Sequence, residues 1–352
     1  VLSYKKAIQE KCRITKNTSL KNHCKTLIQD WGEVKAEEVP EGVVVAKSVG
    51  DPLSKDARDL TTRYKAILGT SLPYAGSRKK FETAYDDLND KYPWAQEVVS
   101  RVFGQIALRI RTAKDGVGVN LRPFLIHGDP GCGKTSFIGD LFAAFDIPAS
   151  TFSCGGTSDS GGLLPIARGW STSTVCGPLQ AMLAHKVCNP GVILDEVDKA
   201  SSLDSKNGSV IGALLGMIND SAPYYDTCLM TSVDLTKVSF AATANDINNI
   251  PKPLLDRFNV VRMPSPTEAH FDTIIKSVEK DQARELGVPP EDLPELTDFE
   301  KSLIFDEVCG ASFSIRQIKQ KYRGILEQNA LQDMMGDEMM LQKQHKELLP
   351  RS

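Results

Sequence analysis

The sequence predicts an α/β fold: a parallel sheet covered on both faces by helices, followed by a small all-helical domain. Three observations predict it. Short apolar runs, "FLIHG", "GVILDE", "VSFAATAN" and "NVVRMP", are bounded by turns and separated by helical segments, as strands buried on both faces are. The stretch "LIHGDPGCGKTSFIGDLF" sets a glycine-rich turn between one such run and a helix. From about Thr267 the pattern becomes helical, through "EAHFDTIIKSVEKDQARELG", "DFEKSLIFDEVC" and "SIRQIKQKYRGILEQNALQDMM". These shifts suggest an N-terminal region over 1–85, an α/β domain over 86–265 and a helical domain over 266–352.

The N-terminal region is expected to be mainly helical with a short extended segment. Its first thirty residues hold seven Lys or Arg against Glu10 and Asp30. Such an opening can touch nucleic acid. A solvated helix face is the simpler account, because no aromatic interleaving accompanies the charge. In "EEVPEGVVVAKSVGDPLS" a valine run lies between turn residues and reads as a strand or extended linker. From Tyr92, apolar Val98, Val99, Val102, Phe103, Ile106 and Ile110 recur at helical spacing.

Composition narrows the class. With 41% hydrophobic and 25% charged residues the chain matches ordinary soluble globular proteins, and a net charge of -3 gives no global pull toward nucleic acid or anionic membrane. No apolar run approaches the ~20 residues of a membrane span. The opening "VLSYKKAIQEKC" lacks the apolar core of a signal peptide. The eight cysteines are scattered with no CxxC pair, and "HKVC" has no second cluster to complete a zinc site. Free thiols in a reducing cytoplasm are expected.

The glycine-rich turn carries the first chemistry. Gly128, Asp129, Pro130, Gly131, Cys132, Gly133, Lys134 and Thr135 fit GxxxxGK[ST], after a strand and before a helix that continues with Ser136. The glycines let successive backbone N–H groups face phosphate oxygens, and the helix N-terminus adds favourable partial charge. Lys134 would reach the β- and γ-phosphates of ATP, and the Thr135 hydroxyl would ligate Mg²⁺. A plain turn with an exposed lysine needs neither flank.

Four later residues complete a hydrolytic set. "PGVILDEVDKA" ends an apolar run in Asp195, suited to partner Mg²⁺, and Glu196, suited to polarise a water for in-line attack. Asn245 directly follows the run "VSFAATA", where an amide can orient that water; a turn residue is the simpler alternative. Arg257, in "LLDRF", reads either as an ion pair with Asp256 or as a group projecting into a neighbouring subunit's nucleotide.

"GDPGCGKTS", "NPGVILDEVDK", "DLTKVSFAATAN" and "IPKPLLDRFNVV", in this order, resemble the AAA+ ATPase module of Lon-type proteases. The resemblance runs from about Lys91 to about Ala330, roughly two-thirds of the chain, and "IPKPLLDRF" is more specific to that family than the phosphate loop. It implies a P-loop NTPase (AAA+) core with a helical lid and a ring oligomer, most often a hexamer. It implies Asn245 as the sensor-1 residue, Arg257 as an arginine finger acting in trans, Arg316 as the sensor-2 arginine of the lid, and Tyr92 near the adenine. Two features depart from the family. The sequence stops about twenty residues after Ala330, leaving no room for a proteolytic domain, so no protease activity is expected. Where the family's substrate-gripping loop carries an aromatic triplet, this chain has Thr174-Val175-Cys176, with Trp170 nearby. Trp170 is either a displaced gripping aromatic or an anchor packed on its own subunit.

Three uses of ATP hydrolysis follow: remodelling a protein partner, gating an oligomeric scaffold for a separate effector, or driving a nucleic-acid-associated ATPase through the basic opening. The missing aromatic favours the scaffold over a processive motor, whereas the intact acids and arginines favour turnover.

Overall fold

The computed structural model describes residues 42–113, 118–155, 162–200, 210–219, 222–309 and 313–347. The basic opening, with Cys12 and Cys24, lies outside them. In chain order the elements are β1 (Val43–Val44), α1 (Ala57–Arg63), β2 (Ser71–Leu72), α2 (Phe81–Lys91), α3 (Gln96–Thr112), β3 (Phe124–His127), α4 (Lys134–Ala144), β4 (Ala149–Ser153) and α5 (Gly177–His185). There follow β5 (Gly191–Asp195), α6 (Val210–Met217), β6 (Tyr224–Asp226), β7 (Thr231–Val233), β8 (Ser239–Ala244), α7 (Lys252–Leu255), β9 (Asn259–Arg262), α8 (Phe271–Leu286), α9 (Asp298–Cys309) and α10 (Ile315–Glu347).

Five strands form one parallel sheet in the order β4-β5-β8-β3-β9. The four apolar runs of the sequence are β3, β5, β8 and β9. The fifth strand, β4, is "ASTFS" on the sheet's edge, with only Phe152 buried. A strand paired on one side and half-solvated needs no apolar run, so hydrophobicity does not announce it. The valine run enters β1, which pairs antiparallel with β2. The division placed after residue 85 falls inside α2.

Strand alternation sorts the core. Leu125, Val192 and Leu194 join one apolar cluster with α5 and residues 45–72, while Phe124, Ile126 and Ile193 join a second with α2, α3 and α4. The two clusters are the opposite faces of the sheet. A third cluster, centred on Ile274, Ile304, Ile318 and Tyr322, is the core of the helical lid. Trp94 packs against both the second and the third. No helix among the described residues is long and apolar enough to cross a membrane.

Candidate active site

In an open parallel sheet, ligands bind beyond the carboxyl ends of the strands. That edge gathers the loop after β3, Asp195 at the end of β5 and Asn245 just past β8. Gly131 and Gly133 turn the loop with φ of 82° and 100°, a region closed to most side chains. Gly133 delivers the chain into α4, whose N-terminus faces the loop with its partial positive charge.

Lys134 is only 8% exposed. Its Nζ donates to the carbonyls of Gly128 at 2.8 Å and Asp129 at 2.9 Å, and to Asn245 Oδ1 at 2.9 Å. It forms no ion pair among the described residues. A buried ammonium resting on neutral oxygens fits a polyphosphate, which supplies the counter-charge. Asp129 and Pro130 are exposed at the turn, as is Ser136 on α4. Asp129 Oδ2 accepts from Ser265 Oγ at 2.7 Å. Cys132 turns inward, where burial raises its thiol pKa, so only its backbone faces the loop. Burial, then Arg262 and Lys134, lowers the pKa of His127 at the end of β3.

Beside the lysine lies a cluster of hard oxygens. Thr135 Oγ1 and Thr243 Oγ1 both donate to Asp195 Oδ1, at 2.7 and 2.6 Å. Hydroxyl and carboxylate oxygens are the donors Mg²⁺ prefers. No group of three or more His, Cys, Asp or Glu among the described residues is arranged to hold a metal. A cation here would therefore rest on Thr135, Asp195 and nucleotide phosphates together.

Glu196 follows in a left-handed conformation, φ 56°, which costs a non-glycine residue energy unless its surroundings hold it. Thr243 Oγ1 accepts its amide at 3.0 Å. Its carboxylate is engaged by Lys199 Nζ at 2.6 Å. Asp198 Oδ2 accepts the amides of Asn245 and Asp246, each at 3.1 Å, tying the β5 loop to the β8 loop.

The lid closes the third side. The amide of Ile315 donates to the carbonyl of Gly131 at 3.0 Å. Arg316 is exposed, and its Cβ lies 3.8 Å from where a Cβ on Gly131 would stand, so its side chain starts beside the loop. Lys91 bridges Asp140 of α4 at 2.8 Å and Asp281 of the lid at 3.6 Å. Tyr92 is buried against Trp94 and Phe137, with its hydroxyl donating to Asp140 at 2.6 Å. Burial and that carboxylate push the phenol's pKa far up. Arg257 is half-buried and donates to the carbonyl of Ile218 at 2.7 Å, apart from this group.

The structure thus brings Lys134, Thr135, Asp195, Glu196 and Asn245 together, with Arg316 adjacent. It also enlists residues the sequence reading passed over: Thr243, Asp198, Lys199 and Trp94, whose Nε1 donates to the Cys132 carbonyl at 3.3 Å. A hydroxyl near the end of the apolar run "SFAATA" was the available signal for Thr243. Trp170, at the tip of the loop closed by Ile166 and Thr174, is 71% exposed, so it is not the packed anchor of the two readings.

A phosphate-binding loop, a carboxylate–hydroxyl cluster and a docked helical lid on a five-stranded parallel sheet define the P-loop ATPase class with a lid. Residues 124–265 match the model of the ATPase family associated with various cellular activities (AAA). The chain is 32% identical over 193 residues to the Lon protease of Mycoplasma genitalium, covering 54% of this chain and 23% of that protein. It is 30% identical over 220 residues to the Lon protease of Campylobacter jejuni, covering 62% and 27%. With the mitochondrial Lon protease homolog 3 of Arabidopsis thaliana it shares 28% identity over 277 residues, 76% of this chain and 29% of that one. The chain spans about a quarter of the length of these relatives. The solved Saccharomyces cerevisiae Hsp104:casein complex in its extended conformation shares the fold, with a TM-score of 0.57 at 16% identity over 74% of this chain and 49% of that one.

Proposed function

We propose that this chain binds ATP with Mg²⁺ and hydrolyses it, and that a homo-oligomer, a hexameric ring, couples the turnover to remodelling a protein partner without proteolysis by the chain itself. The observation that carries the reading is the buried Lys134 ammonium on neutral oxygens, beside the hydroxyl pair on Asp195. Mg²⁺, when bound, would neutralise charge on the β- and γ-phosphates.

The chain's own residues do the rest. The amides of Gly131 to Thr135 and the start of α4 receive phosphate oxygens. Lys134 exchanges carbonyl partners for phosphate. Glu196 swings off Lys199 to accept the proton of the attacking water, which Asn245 orients from the end of the neighbouring strand. Arg316 reaches from the lid, and Arg257 acts on the neighbouring subunit's nucleotide; an arginine in that role is worth ~10³ or more in rate. Tyr92 braces the loop from below on the adenine side. Five free, buried thiols among the described residues fit a reducing compartment, the cytoplasm.

Protein remodelling is preferred to a nucleotide-gated scaffold because Trp170 projects into solvent from the loop expected to grip substrate; in the proposed ring it would face the axial channel. A nucleic-acid role rests on the basic opening alone. The test is paired: Glu196→Gln retains nucleotide binding and loses turnover, since an amide cannot take the water's proton, whereas Lys134→Ala loses binding. Full hydrolysis by Glu196→Gln would remove Glu196 from its role. Stimulation of turnover by unfolded protein, but not by DNA or RNA, separates remodelling from its alternatives, and a protease assay checks that the partner is left intact.

A further inference from the structure

The loop bearing Trp170 is held by an unusual clamp. Ile166 and Thr174 exchange backbone bonds at 2.9 and 3.3 Å, and Ser173 N closes the turn onto the Trp170 carbonyl at 3.0 Å. At the base of this hairpin sits Arg168, half-buried and without an ion pair among the described residues. Its guanidinium donates to the carbonyls of Cys228 at 3.2 Å, Leu229 at 2.9 Å and Gly50 at 2.8 Å, and to Ser54 Oγ at 3.1 Å. Those partners lie on two other parts of the chain, the β6–β7 turn and the segment after β1.

The same turn is held from its other side. Asp226, fully buried, accepts the amides of Cys228 at 3.0 Å and Leu229 at 2.9 Å, and that of Cys176 at 2.8 Å. One charged group thus takes the turn's amides and the other its carbonyls. The segment after β1 closes tightly on the turn: a Cβ on Gly50 would stand 1.9 Å from the Met230 carbonyl oxygen, so only glycine fits. Two more bonds secure the far side of the hairpin. Arg63 donates to the Ser173 carbonyl at 2.9 Å, and the Val175 amide reaches the Tyr64 hydroxyl at 3.4 Å.

We infer that Arg168 is the positioning residue of the Trp170 loop, mounting the indole on the β6–β7 turn and the 50–54 segment so that it is presented to a polypeptide substrate in one orientation. The inference rests on the reading of Trp170 as the gripping residue. A planar fork of five N–H donors can serve three carbonyls and a hydroxyl at once. A lysine at the same place can serve fewer, from a flexible stem. Without the fork, the hairpin loses its ties to the turn and to the 50–54 segment, and the exposed indole samples many orientations.

The test compares Arg168→Lys, Ser54→Ala and Trp170→Ala, after circular dichroism and melting have established folding. Binding is read as the casein concentration giving half-maximal stimulation of ATP turnover, with nucleotide affinity as the control. Orientation is read from the 19F resonance of 5-fluorotryptophan at position 170, assigned by its loss in Trp170→Phe. For Arg168→Lys the half-maximal concentration is expected to rise about 5-fold or more, the equivalent of losing one or two hydrogen bonds, with nucleotide affinity unchanged. The Trp170 line should narrow, and in Ser54→Ala it should narrow less; Ser54→Ala carries the test if Arg168→Lys does not fold. If Trp170→Ala abolishes stimulation while the Arg168→Lys half-maximal concentration is unchanged, the positioning role is overturned. If Trp170→Ala leaves stimulation intact, the gripping reading fails instead, and the line alone decides: narrowing upholds the mount, an unchanged line overturns it.

Discussion

Thr243 is the least conspicuous member of the site and offers the sharpest test of its architecture. It is 1% exposed on β8, and its hydroxyl faces two ways, donating to Asp195 Oδ1 at 2.6 Å and accepting the Glu196 amide at 3.0 Å. Thr243→Val keeps the shape and removes the hydroxyl. The bond lost to an ionised carboxylate is worth about 1.5–3 kcal/mol. The Glu196 amide, left without its partner, adds about 1 kcal/mol, the low end of the range because the residue is half-exposed and water can reach it. The sum, about 2.5–4 kcal/mol, lowers the melting temperature by roughly 5–16 °C for a domain of this size. Glu196 also loses the bond that holds its left-handed backbone, so kcat should fall at least ~10-fold, about 1.4 kcal/mol in the barrier. Nucleotide affinity should change little, because the phosphate loop is untouched. Thr243→Ser retains the hydroxyl and should recover most of the turnover. Differential scanning calorimetry and steady-state ATPase assays decide the matter. A valine variant that melts and turns over like the parent protein would refute the idea that this hydroxyl organises the acids.

Lys199→Met frees the Glu196 carboxylate; the exposed pair contributes only ~0–1 kcal/mol, so melting should be unchanged while basal turnover rises, and an unaltered rate would mean Lys199 imposes no restraint. Mixing Arg257→Ala with Lys134→Ala subunits should restore activity, because some interfaces then pair an intact phosphate loop with an intact finger; a co-assembled mixture as inactive as each parent rules out action in trans. Burial, with Asp195 as the lesser cause, pushes the Cys154 thiol up to about 12, and burial beside Asp226 holds Cys176 well above its ordinary value. Both raised pKa values leave almost no thiolate at pH 8, so iodoacetamide should spare these two cysteines in the native protein and label them in denaturant. Rapid native labelling, read by peptide mass spectrometry, would contradict their burial.

The phosphate loop was legible because its chemistry is local. Gly131 and Gly133 must take positive φ and Lys134 must follow them directly, so the motif's spacing and its strand–helix flanks already contain the geometry. The apolar runs of β3, β5, β8 and β9 were legible because a strand buried on both faces must be apolar throughout. Asp195 and Asn245 were found through the same runs, since each sits where a buried strand ends. Strand β4 was not legible, because an edge strand half in water carries no such run. Nor were Thr243, Asp198 or Arg168, whose roles are hydrogen bonds to backbone groups or side chains far away in the chain. A threonine in an apolar strand or an arginine in a loop is compatible with many environments; only the packing of β8 against β5, and of the 50–54 segment against the β6–β7 turn, gives each its partners. Sequence by itself determined the candidate residues whose placement follows from their neighbours in the chain. Tertiary structure decided those whose placement follows from neighbours in space, because a hydrogen bond acts over about 3 Å whatever the separation along the backbone.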